Sequence, residues 1–279
     1  MTDGRDRSSL DIHPRVAVSE TSSRSWSLEE DLSYWSSAEI RYVGIRGDKL
    51  EKFGWELGIT TLDSAELRIA DLFVGSAFHL DRPQVWDEER LALKRGIDAA
   101  VGLKAECLFM TAGPPGKLSA DEAVVAFNEA IAPVREMANR VGMPMVIEHH
   151  GQLRRDLGFI HTLEGLVEFA EEAELDICVE LNNCWVERNL ARTFRRGMRH
   201  FQLVQVSDFV VGTLDTPNRV VPGDGDIPLE RLISDLLDAG YEGPFEIEIV
   251  GPCIDAEGYV SAIGRSARWL SDVLDQLGA

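Results

Sequence analysis

Positive charge is scarce in this chain. Its 279 residues carry 28 Lys and Arg against 48 Asp and Glu, a formal net charge of −20. A field of that sign repels phosphate backbones and anionic lipid surfaces, and the basic clusters are short, as at Arg154-Arg155 and Arg195-Arg196. Nucleic acid and membranes are therefore not expected partners. There is no apolar run of about 18 residues, the length needed to cross a bilayer. The N-terminus, MTDGRDRSSLDIHP, lacks the apolar core of an export signal. The four cysteines, Cys107, Cys178, Cys184 and Cys253, are scattered and never form a CxxC pair. They read as reduced thiols of a cytoplasmic protein. A glycine-rich turn is also missing where a doubly wound nucleotide-binding sheet would need one. The stretch after the first apolar run is SETSSRSWS, which argues against that fold.

What is present is an ordinary globular composition, 44% hydrophobic and 27% charged, enough for a sizeable core. Residues 1–14 are polar and aperiodic and are expected to form a disordered leader. From there on, short apolar or β-branched runs alternate with stretches of helical period. Strands are expected at 15–20 (RVAVSE), 42–47 (YVGIRG), 71–78 (DLFVGSAF) and 107–113 (CLFMTAG). Four more are expected at 144–149 (PMVIEH), 175–181 (LDICVEL), 201–208 (FQLVQVSD) and 244–250 (PFEIEIV). Helices are expected at 27–38, 86–101, 119–141, 162–173, 188–198, 228–239 and 258–277. Ser27 with Glu30 makes a capping-box pattern, and Ser119 and Thr162 stand at cap positions. Continuous apolar strands suit a parallel sheet covered on both faces. With no linker or composition break, the simplest reading is one (βα)8 barrel over residues 15–279.

In such a barrel the chemistry sits where strands run out at their C-terminal ends. The last four strands all place polar residues there. With period two, Glu148 and His150 share a face of the fifth, Glu180 shares one with Asn182 on the sixth, and Gln205 shares one with Ser207 on the seventh. Glu246 and Glu248 share one on the eighth. Any single acid could sit at a wet rim, but carboxylates repeated on successive hydrophobic strands need compensation. A divalent cation bound by Glu148, Glu180, Gln205 and Glu248 supplies it. This hard oxygen set suits Mn²⁺ or Mg²⁺, with Co²⁺ and Zn²⁺ as further options. His150 is placed to act as a base, with Glu246 as the alternative base or an orienting partner. His149 faces the helices. Arg219 could clamp a substrate oxyanion within the glycine-containing loop after the seventh strand. Asp208, Asn182 and Trp185 at the rim, and His79 at the end of the third strand, are further candidate substrate contacts.

The chain resembles the xylose isomerase-like TIM-barrel superfamily, which includes sugar phosphate isomerases and epimerases, inosose dehydratases and endonuclease IV. The specific pieces are Val204-Gln205-Val206-Ser207-Asp208, Arg219, Gly223-Asp224-Gly225-Asp226, and 240–248 (GYEGPFEIE). The resemblance implies metal ligation by the Glu of strand five, matching Glu148, and of strand eight, matching Glu248. The family's strand-six Asp, with His three residues on, corresponds to Glu180 and Asn183. Its strand-seven His, with Asp three residues on, corresponds to Gln205 and Asp208. A Gln at that position, with a basic His two residues after the strand-five Glu, is similar to some 3-dehydroshikimate dehydratases. The missing histidine cluster speaks against endonuclease IV.

The implied function is a divalent-metal-dependent isomerase or epimerase of a sugar or keto-polyol acting through an enediolate. The alternatives are a dehydratase or other lyase of a keto-cyclitol, keto-sugar or 3-dehydroshikimate-like compound, and an inactive barrel serving as a subunit. The expected partner is a small carbohydrate or keto-acid, and self-association into a homo-oligomer is left open.

Overall fold

Strands that are apolar on both sides must be covered on both sides, and closure into a barrel achieves this while removing every sheet edge. A computed structural model describes residues 12–279. Its parallel strands close in the order β1 to β8. They are β1 Val16–Ser19, β2 Tyr42–Arg46, β3 Arg68–Ser76, β4 Cys107–Thr111, β5 Met145–Glu148, β6 Asp176–Glu180, β7 Phe201–Val206 and β8 Phe245–Ile247. All eight expected strands are present, so the single xylose isomerase-like (βα)8 architecture is the observed one.

Alternation along each strand separates two cores. Ala17, Tyr42, Ala70, Cys107, Phe109, Val146, Cys178 and Leu203 fill the barrel interior. Their neighbours, such as Val16, Val43, Leu108, Ile147 and Val204, belong to the larger layer between barrel and helices. The helices of that layer begin where the caps indicate. Ser27 and Ser119 form complete capping boxes with Glu30 and Glu122, opening α1 Leu28–Ala38 and, later in the chain, Ala120–Val141. Thr162 caps the helix Leu163–Ala173 through the Gly165 amide.

Four helices were not expected. Two, α2 Gly47–Phe53 and α3 Trp55–Ser64, fill the β2–β3 crossover, broken at Gly54, whose φ of 102° is left-handed. Their sequence holds three glycines and Ile-Thr-Thr, which obscures the helical period. The other two are Leu181–Cys184 and Pro252–Glu257; the expected α4 is Trp86–Leu103, extending two residues past the expected end, and α5 and α6 are the capped helices above. The four-residue α7 Leu181–Cys184 follows β6 directly, and α8 Leu190–Gly197 and α9 Leu229–Asp238 follow it, with Pro228 capping α9 instead of opening it. The last two are α10 Pro252–Glu257 and α11 Tyr259–Leu277.

Most of the expected leader, residues 1–11, lies outside the described residues. Ile12 packs on the core, and the His13 amide donates to Ser271 Oγ at 3.0 Å, so attachment to the barrel begins before residue 15. Among the described residues no helix is long and apolar enough to cross a membrane.

At the N-terminal mouth, Asp176 opens β6 with 27% of its side chain exposed. Burial pushes its carboxyl up to about 6, above the unfolded value of about 3.9. The folded state therefore holds this proton more tightly than the unfolded state does. The associated stability is complete below about pH 4 and is lost as pH rises through about 6. Asp176→Asn should remove this loss, gaining stability relative to the parent between about pH 4 and 6 and holding a constant difference above. Urea unfolding at about pH 4, 5, 6 and 7 reads the difference; parallel curves for the two proteins would contradict it.

Candidate active site

At the C-terminal ends of the strands the interior turns from apolar to polar around a cavity of about 330 Å³. One wall carries Glu148 and His150 from the end of β5 and Asn182 and Asn183 from α7. Arg219 comes from the β7–α9 loop and Glu248 from just past β8. The opposite wall includes Thr21, Arg24 and Arg46, with Ser76 and Thr111 between.

Arg219 organises the carboxylates. Its Nη1 lies 2.8 Å from Glu180 Oε2, pairs with Glu248 Oε2, and donates to the Glu248 carbonyl oxygen at 2.6 Å. That last bond helps explain why β8 ends at Ile247, short of the expected residue 250: its continuation turns to the loop, with Val250 accepting from the Arg219 amide. Burial alone would lower the Arg219 guanidinium, but Glu180, Glu248 and Glu148 outweigh it and raise it. One positive charge does not settle the cluster. Burial, reinforced by Glu248 and Glu148, pushes Glu180 up to about 8 in spite of Arg219. Glu148 behaves oppositely. Burial opposes its ionisation, yet the adjacent His150 and Arg219 hold it below the usual carboxylate range. His150 Nε2 stands 3.3 Å from Glu148 Oε2, while Asn183 Nδ2 donates to Glu148 Oε1 at 3.0 Å and to the His149 carbonyl at 2.9 Å.

Glu246 lies beneath this layer, fully buried and outside the cavity lining. It accepts from Gln205 Nε2 at 2.8 Å and lies beside Asp71. Burial and the proximity of Asp71 raise Glu246 well above the ordinary range. Burial carries Asp71 up to about 7, so both carboxyls are shifted toward the protonated form. Gly44 makes space for them. A Cβ there would lie 1.9 Å from Glu246 Oε1 and 2.5 Å from Asp71 Oδ2. Because Glu246 takes the amide hydrogen of Gln205, the Gln205 carbonyl oxygen is left buried with no donor among the described residues.

The other expected contacts divide. Asn182 lines the cavity and donates to Ser207 Oγ at 3.4 Å and to the Asp208 carbonyl at 3.3 Å. Asp208 does not face the cavity. Its carboxylate accepts from the backbone amides of Phe209, Gly223, Gly225 and Ile227 and shapes the loop that carries Arg219. His79 lies outside the cavity, with Nδ1 2.6 Å from Glu89 on α4. Trp185 is half-buried against the core between barrel and helices and does not line the cavity. His149 is fully buried, and burial lowers its imidazole to about 4. The residues without a prior assignment are Asn183, Asp71 and the wall of Thr21, Arg24 and Arg46. For Arg46 a signal existed, since it follows Tyr42 and Gly44 on the inward face of β2.

The family described as xylose isomerase-like TIM barrel matches residues 48–273. The chain belongs to that family. Over 164 residues it is 25% identical to fructoselysine 3-epimerase of Shigella flexneri, and the match covers 57% of each protein, little more than half the relative's length. The solved IOLI protein with a bound zinc atom superposes with a TM-score of 0.82 at 16% identity, covering 94% of this chain and 99% of that one. A Sinorhizobium meliloti 1021 protein gives 0.81 at 22% identity, covering 92% and 98%. At such identities the structural likeness concerns the fold.

The divalent ion implied by the family resemblance can be tested against these donors. Among the described residues no three His, Cys, Asp or Glu side chains are gathered as a ready-made cage, and Arg219 stands between Glu180 and Glu248. The donor chemistry nonetheless fits a hard cation. It offers three carboxylates and a buried amide oxygen with nothing to accept.

The Asp71–Glu246 pair supports this layer from below and depends on Gly44. Gly44→Ala should destabilise the protein by about 1–3 kcal/mol, the usual cost of overpacking a full interior. Chemical denaturation reads this; a loss below about 0.5 kcal/mol would show that the pair relocates freely.

Proposed function

We propose that the chain is a divalent-metal-dependent isomerase or epimerase that enolises a sugar or keto-polyol. The observation carrying this reading is the convergence of His150, Glu148, Glu248 and Arg219 on one cavity, so that a base, an acidic donor set and a cation face the same small molecule. Similarity over part of the chain to a ketosamine epimerase, and the zinc atom of a structural relative, point the same way.

A cation bound by Glu148, Glu180, Gln205 and Glu248 would polarise the substrate carbonyl and offset the charge of the enediolate. The protein's own groups do the rest. His150 accepts the α-proton, and the charge of Glu148, whose Oε2 lies 3.3 Å from His150 Nε2, stabilises the imidazolium that forms. Asn183 holds Glu148 in that position. Arg219, anchored through its loop, donates to a substrate oxygen as negative charge develops there. Glu246 acts through Gln205, fixing which way that amide points. Reprotonation of the enediolate yields the isomer or epimer.

Two measurements test this. Protein loaded with Mn²⁺ and incubated in D₂O with a panel of ketoses and keto-acids should exchange the α-proton of its substrate and form an epimer or isomer. His150→Ala should keep its metal and lose turnover and exchange together, by ~10²–10⁴-fold. Accumulation of an unsaturated product instead would mark a lyase, and no exchange with any substrate would leave the inactive barrel. Retained exchange in His150→Ala with loss in Glu246→Gln would move the base to Glu246. Elemental analysis of Glu148→Gln after Mn²⁺ loading should show reduced occupancy; failure of the parent protein to retain Mn²⁺ would remove the metal from the mechanism.

A further inference from the structure

The cavity is lined by four arginines, Arg24, Arg46, Arg154 and Arg219, in a chain whose net charge is −20. Three of them pair with carboxylates of the protein. Arg219 is held by Glu180 and Glu248, and Arg154 grips both oxygens of Asp156 at 3.0 and 2.9 Å. Arg46 pairs with Asp48 through Nε alone. Arg24 is exposed and pairs with no carboxylate among the described residues. Arg46, at the end of β2, is oriented without being saturated. Its Nε donates to Asp48 at 2.9 Å and its Nη1 to Thr21 Oγ1 at 3.4 Å, and its guanidinium lies 5.6 Å from the Phe73 ring centre. Its Nη2 donates to no protein group among the described residues, and its side chain is only 18% exposed.

We propose that Arg24 and Arg46, with the Thr21 hydroxyl, form an anion subsite that binds a carboxylate or phosphate on the substrate. The substrate is then an acidic keto-sugar or keto-acid and not a neutral one. The subsite lies over β1 and β2, four strands around the barrel from β5, so it faces the Glu148–His150 wall across the cavity. One end of the molecule is held by guanidinium groups while its enolisable carbon lies at the other. Guanidinium is the cation suited to this task, because its planar fork meets carboxylate or phosphate with paired hydrogen bonds. The surrounding negative field makes the arrangement selective. An anion approaching elsewhere is repelled, whereas in this half-buried corner the attraction acts at short range and lower dielectric. The substrate class rests on the enolisation reading; the subsite itself does not.

Binding measurements separate the two. Titration calorimetry on the Mn²⁺-loaded protein compares D-fructose with D-fructose 6-phosphate, and D-glucose with D-glucuronate. The parent protein should bind at least one charged member about tenfold or more tightly than its neutral counterpart, the scale of one charge-assisted hydrogen bond. Preference within the first pair identifies phosphate, and within the second, carboxylate. Arg24→Gln, Arg46→Gln and the double variant should reduce the charged ligand to the neutral level while leaving the neutral ligand and Mn²⁺ content unchanged. Arg24, being exposed, keeps the test readable if the Arg46 variant fails to fold. Equal binding of charged and neutral ligands by the parent, no binding of either charged ligand, or a preference that survives Arg24→Gln or the double variant overturns the subsite. Failure of enolisation alone leaves a charge preference intact and so falls on the reading of the reaction instead.

Discussion

A carboxylate withdrawn from water must find a counter-charge, a proton or a set of donors, and the upper end of this barrel holds Asp71, Glu148, Glu180, Glu246 and Glu248 within one small volume. Each solution is used. Arg219 brings a counter-charge to Glu180 and Glu248, and burial beside Asp71 favours the protonated form of Glu246. Backbone and side-chain donors serve the rest: the Asn182 amide for Glu180 and Asn183 for Glu148. The positions of Gly44, of Asn183 on its short helix, and of the loop that delivers Arg219 all follow from this requirement.

The solutions are not equally complete, and that difference separates scaffold from site. Beneath the cavity, Glu246 lies beside Asp71 and is held by the Gln205 amide. One layer higher a single guanidinium faces Glu180, Glu248 and Glu148, and the Gln205 carbonyl has no donor among the described residues. An unused oxygen buried close to such a cluster is what a binding site offers, because a further partner satisfies it. This cluster and the arginine-bearing wall opposite give the cavity two ends of contrary charge, which orients a small polar molecule lengthwise.

Much of the architecture was legible from period and caps. Apolar runs marked every strand, and Ser27, Ser119 and Thr162 marked the starts of their helices. The crossover helices around Gly54 were hidden because their glycines and β-branched residues dilute the period. At the site, alternation placed Glu148, His150, Glu180, Gln205 and Glu248 together, since it reports directly which residues face the axis. Alternation carries no information beyond a strand's end. His79 therefore looked like a pocket residue until its pairing with Glu89 was seen, and Trp185 looked like a cap although it packs on the core. Asp208 looked like a substrate contact although it gathers backbone amides. The partnership of Asp71 with Glu246 spans most of the chain, and no local pattern signals it.

Asp208 also has a consequence for how this barrel can change. Its backbone exchanges hydrogen bonds with Val220, and its carboxylate fastens Gly223, Gly225 and Ile227. The chain between Phe209 and Arg219 thus departs from and returns to a single fixed rung. Asp215 and Asn218, which help form one wall of the cavity, sit on that excursion. Doubling the length of such a loop costs only about 0.6 kcal/mol in closure entropy, and the rung insulates Arg219 from the change. The wall can therefore be rewritten by insertion or deletion while the floor stays in register, which gives the scaffold an exchangeable cassette for remodelling specificity separately from chemistry.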